Sequence, residues 1–111
     1  MLAAGDRLAG SEMLSLKITP LVAPAPAFIT VRTVVDTSED NRALEVVAES
    51  PGFARRSTIE LDALSPRVNV FDFPNLPAGT YDVSATLIGA RGVRATTTRT
   101  VLIMSTPGAR R

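Results

Sequence analysis

Eleven carboxylates, twelve cations, and neither histidine nor cysteine make up the chemical repertoire of this 111-residue chain. Without histidine, no side chain has an ordinary pKa near neutrality to serve as a proton shuttle. Without cysteine there is no thiol nucleophile, disulfide or thiolate metal site. Paired carboxylates can still do general acid–base work. Yet Glu45, Glu49, Glu60, Asp62, Asp72 and Asp82 all fall at outward positions of an alternating pattern, where a solvated sheet face accounts for them. Asp36, Glu39, Asp40 and Asn41 offer the oxygen ligands that Ca²⁺ takes, but their spacing matches no EF-hand and lacks its central glycine. A polar loop between two strands is the simpler reading. The expectation is a chain that is not an enzyme, with no catalytic residue, bound metal or cofactor.

Those side chains sit on strands. Leu14, Leu16 and Ile18 alternate with Ser15 and Lys17, and Ile29, Val31, Thr33 and Val35 with Thr30, Arg32 and Val34. Leu44, Val46 and Ala48 alternate with Glu45, Val47 and Glu49, and Ile59 and Leu61 with Glu60 and Asp62. Phe71 and Phe73 flank Asp72, and Tyr81, Val83, Ala85 and Leu87 alternate with Asp82, Ser84 and Thr86. Period two is what a strand with one buried and one wet face requires. No window carries a convincing helical stripe. The inward set Ile29, Val31, Leu44, Val46, Ile59, Leu61, Phe71, Tyr81, Val83 and Leu87 is the expected core.

Turn residues separate these segments. Pro20, Pro24 and Pro26 interrupt the chain before the second strand, as a stiff connector. Asp36–Asn41 is a polar loop, Ser50-Pro51-Gly52 and Leu64-Ser65-Pro66 are turns, and Gly89-Ala90-Arg91-Gly92 is a short hairpin. The final strand is irregular: Val93, Ala95 and Thr97 share a parity with Val101 and Ile103, but so does Arg99. A bulge near Thr98–Thr100 or an arginine at an exposed rim would each resolve it. About seven strands at this spacing point to an all-β, antiparallel sandwich over residues 14–105, with tails at 1–13 and 106–111.

Leu76-Pro77-Ala78-Gly79-Thr80-Tyr81 leads into a strand and resembles the tyrosine corner of immunoglobulin-like domains. In such a corner Tyr81 would pack beneath the crossing between sheets and bond a nearby backbone group, with Gly79 supplying a positive φ. From about Phe28 to Ile103 the strand order resembles bacterial immunoglobulin-like and fibronectin type III-like domains. Asn41-Arg42-Ala43-Leu44, Phe53, Arg55, Leu61-Asp62, Phe71 and Phe73 are similar to small uncharacterised bacterial proteins of that class. The chain departs from antibody-type and standard fibronectin type III modules in having no tryptophan and no cysteine pair. The resemblance implies an immunoglobulin-like β-sandwich and brings no catalytic residue with it.

Net charge is +1, which points away from a dedicated nucleic-acid binder. Nothing approaches the roughly 20 apolar residues of a membrane-spanning helix, and the first residues lack a signal-peptide pattern. The expected function is an interaction or accessory domain of a bacterial surface or secreted system, working outside the cytoplasm, with a cytoplasmic setting still open. The alternative is a structural subunit that self-associates by strand exchange into a filament, donating the segment that carries Leu14, Leu16 and Ile18. Arg91, Arg94 and Arg99, in a stretch with no acid after Asp82, are candidates for a basic docking patch.

Overall fold

Alternation gives most of the strands one apolar face, and two sheets of such faces close on one another. In the computed structural model, residues 13–105 are described. They form β1 (Leu14–Thr19), β2 (Val22–Pro24), β3 (Ala27–Val35), β4 (Asn41–Ser50), β5 (Phe53–Glu60), β6 (Val68–Leu76), β7 (Gly79–Gly89) and β8 (Gly92–Met104). A three-stranded sheet in the order β1-β3-β6 packs on a five-stranded sheet in the order β2-β8-β7-β4-β5. The architecture is an all-β sandwich. The two expected tails lie outside the described residues, apart from Met13.

The described residues form eight strands where about seven were expected, and one of the pairings is parallel. The added element is β2, inside the proline run read as a connector. It lies along β8 in parallel, with Val22 opposite Leu102 and Pro24 opposite Met104. Pro24 is tolerated because β2 is an edge strand, where a missing N–H breaks no ladder.

Of the ten positions expected in the core, Ile29, Val31, Leu44, Val46, Tyr81, Val83 and Leu87 have no solvent exposure, and Leu61 and Phe71 are nearly as buried. Ile59 is only half-buried. The reason is geometric: β5 is the outer strand of the wider sheet, so three opposing strands cannot cover all five. Thr33 is buried because its hydroxyl donates to the Asn69 carbonyl of β6 at 2.9 Å.

The irregularity of β8 is settled at a different place. Its register against β7 runs unbroken from Ala95 to Ile103 and shifts between Leu87 and Ile88, so the extra residue is Arg94, not one of Thr98–Thr100. Arg99 keeps the inward parity of Val101 and stands exposed at the rim.

Candidate docking surface

The corner segment carries the chain from the three-stranded sheet at β6 to the five-stranded sheet at β7. Tyr81 is fully buried, and its hydroxyl donates to the Pro77 carbonyl at 2.8 Å. Leu76 is also fully buried. Phe53 meets the Tyr81 ring edge-on, with centroids 6.2 Å apart, and Arg55 lies over Phe53 while donating to the Pro74 carbonyl at 3.1 Å. The left-handed residue of this crossing is Asn75, at φ 59°, a conformation asparagine tolerates. Gly79 has the positive φ expected of it, 157°, a backbone conformation that L side chains rarely adopt, although a Cβ there would make only ordinary contacts with Ser50 and Tyr81. Asn75 and Gly79 therefore share the conformational burden of the crossing.

The expected interaction residues part company. Leu14, Leu16 and Ile18 are buried in the core of their own chain, and β1 pairs antiparallel with β3 from Leu14↔Val35 to Thr19↔Thr30. Arg94 is not a free basic group. Its guanidinium donates to the Asn41 side chain and stands 3.8 Å from Asp40, and its own side chain is mostly buried. Asn41, itself buried, donates to the Asp36 carbonyl at 3.0 Å. The acidic loop is thus tied down by an arginine, and Gly89 makes room for it. A Cβ on Gly89 would come within 2.7 Å of Arg94 Cδ and 2.8 Å of Asp40 Oδ2. Among the described residues, no group of three or more His, Cys, Asp or Glu is placed to hold a metal ion, and no helix is long and apolar enough to cross a membrane. Arg91 is exposed in the β7–β8 turn.

Arg99 does join other cations. A groove of about 410 Å³ beside β1 is lined by Lys17, Arg32 and Arg99, with Ser15, Leu21 and Val34. Leu16 and Ile18 border it. Within it, Lys17 stands directly opposite Arg32 on the outer face of the three-stranded sheet, and Val70 follows Arg32 in the same row. The next row carries Val34 and Val68, and Phe28 lies further along β3. Phe28, Val68 and Val70 are exposed. Among the described residues, the ion pairs are Arg56–Glu45 and Arg94–Asp40, so neither Lys17 nor Arg32 is neutralised. Asp72, on the same face, accepts from Thr30 at 3.3 Å. Lys17 and Arg32 were missed as site residues. Their outward parity was visible in the sequence, but not that β1 and β3 would set them side by side.

No family model and no curated protein sequence matches this chain. Solved structures do match in shape. A superoxide reductase (neelaredoxin) from Ignicoccus hospitalis superposes with a TM-score of 0.61 at 11% identity, covering 82% of this chain and 80% of that one. Its E23A variant gives 0.63 at 11% identity, over 90% and 86%. A family 76 glycoside hydrolase from Bacteroides thetaiotaomicron gives 0.54 at 19% identity, over 81% of this chain and 20% of that one. At these identities the likeness is one of fold. It still corrects the expectation that the chain is not an enzyme. That expectation rested on the lack of histidine and cysteine and on carboxylates at outward positions, and chains named superoxide reductase are built on a sandwich of this shape.

Proposed function

We propose that this chain is a protein-interaction domain of immunoglobulin-like type, an accessory part of a bacterial surface or secreted system. It docks an anionic protein surface through the outer face of its three-stranded sheet. The observation that carries this reading is the Lys17–Arg32 pair. Like charges directly opposite each other destabilise a sheet, so fold stability does not explain two adjacent cations that form no ion pair among the described residues. Exposed Phe28, Val68 and Val70 surround them, and apolar side chains beside uncompensated charge are what a protein interface uses. The immunoglobulin-like assignment is supported by the Tyr81–Pro77 bond at the point where the chain changes sheets. The accessory role is supported by the same shape forming a fifth of a longer glycoside hydrolase chain.

A photo-crosslinking amino acid at Val70, and in a second variant at exposed Leu64 between β5 and β6, tests the reading in cells that make the protein. The expected result is one discrete crosslinked product from Val70, lost on Lys17→Glu/Arg32→Glu, and none from Leu64. Equal crosslinking from both positions, or none from Val70, refutes it.

A further inference from the structure

The opposite face of the sandwich has a second like-charge row, with the other sign. On the outer face of the five-stranded sheet, Glu49 of β4 stands directly opposite Asp82 of β7, and both are exposed. They border a shallow depression of about 320 Å³ with Ser50, Pro51 and Thr80. Like the cation pair, neither acid belongs to an ion pair among the described residues. The row beside them is apolar at its edge: Leu102 is opposite Thr80, and Val22 is opposite Leu102. Leu102 and Val22 are both exposed. Each face of the molecule therefore bears two adjacent like charges flanked by exposed aliphatic side chains. The charges on the two faces are opposite in sign.

Cross-strand repulsion is a cost in the isolated chain on both faces. One contact removes both costs, because Lys17 and Arg32 of one molecule set against Glu49 and Asp82 of another neutralise two positive with two negative charges. The same contact covers Val68 and Val70 with Leu102 and Val22. We infer that the anionic partner of the three-stranded face is the acidic five-stranded face of a second copy of this chain. The inference rests on the docking role proposed for the three-stranded face and names its partner. The contact uses different patches on the two molecules, so it is heterologous. Because the patches lie on opposite sides of the sandwich, each docked copy presents a fresh face of each kind, and the assembly extends as an open stack. This stacking leaves β1 in its own sheet, unlike assembly by strand donation. The small net charge of +1 offers little overall repulsion to oppose it.

The test uses the full-length chain and two variants, each blocked on one face: Lys17→Ser/Arg32→Ser and Glu49→Ser/Asp82→Ser. Sedimentation equilibrium over a concentration series reads the mass. The intact chain should form species larger than a dimer at ~10 mM salt. It should return to monomer near ~1 M, where the Debye length has fallen from about 30 Å to about 3 Å. Each variant alone should be monomeric. An equimolar mixture should form a species of twice the monomer mass and stop there, since only one native face of each kind remains. That recovery also shows that both variants are folded. An intact chain that stays monomeric at low salt, a variant that assembles like the intact chain, or a mixture that remains monomeric overturns the inference. If the intact chain is monomeric but the Val70 crosslinker still captures one different protein, self-docking is wrong and the docking role stands. If both fail, the docking role falls as well.

Discussion

Replacing Tyr81 by phenylalanine removes one oxygen from a site with no solvent exposure and leaves the ring in place. The hydroxyl makes a short bond, 2.8 Å to the Pro77 carbonyl, across the four-residue reach of the sheet crossing. A neutral intramolecular hydrogen bond contributes about 0.5–1.5 kcal/mol net, and a buried group left without its partner costs about 1–3 kcal/mol. Pro77 itself is exposed, so water can reach part of the abandoned carbonyl. That places the expected loss at about 1–2 kcal/mol, toward the lower part of the combined range. The ring should keep its edge-on contact with Phe53 at 6.2 Å, so the loss should stay well below the ~3–5 kcal/mol of truncating a buried aromatic to alanine. Urea denaturation followed by circular dichroism reads the effect. The midpoint should fall with an unchanged slope, because the surface exposed on unfolding is the same. In a thermal melt the midpoint should drop by about 4–8 °C for each kcal/mol lost. A stability within about 0.3 kcal/mol of the parent, below any of these magnitudes, would refute the corner's role in holding the two sheets together.

Gly89→Ala should cost about 1–3 kcal/mol by overpacking against Arg94 and Asp40. Combined with Arg94→Ala in the same denaturation assay, it should cost less than the sum of the two single changes, because the shortened side chain removes the Arg94 part of the clash and leaves only that with Asp40. Thr33→Val keeps the volume but strands the Asn69 carbonyl, and should lower stability by about 0.5–1.5 kcal/mol. Lys17→Glu should move in the opposite direction, raising stability by about 0.2–1 kcal/mol as repulsion across the β1–β3 pair becomes attraction. The same substitution should abolish low-salt assembly. A loss of stability on Lys17→Glu would show that the cation pair serves the fold and not an interface.

The architecture was legible because period-two burial is a local property. Each strand's inward parity can be read without knowing its neighbour, and Ile29, Val31, Leu44, Val46, Val83 and Leu87 all fell where alternation put them. The corner was legible too, since Leu76 and Tyr81 act over a few residues of one chain segment. Arg94 and Arg99 show the limit. Both are arginines on one irregular strand, and only the register against β7 reveals that one is the extra residue pinned to Asn41 while the other stands at the rim. β2 was hidden for a related reason. A three-residue edge strand inside a proline run has too few alternating positions to register, and its pairing with β8 joins residues about eighty apart.

Sequence alone therefore determined the fold class, the inward face of most strands, the crossing at Tyr81 and the absence of histidine and cysteine chemistry. Tertiary structure decided whatever depended on which strands are neighbours. It paired β1 with β3 in the same chain, left β5 at an edge where Ile59 is half covered, and set Lys17 against Arg32 and Glu49 against Asp82. The physical reason is range. Side-chain alternation is dictated by the geometry of consecutive residues, whereas a charge pair across strands exists only after chain closure has brought residues fifteen or thirty-three apart into one row.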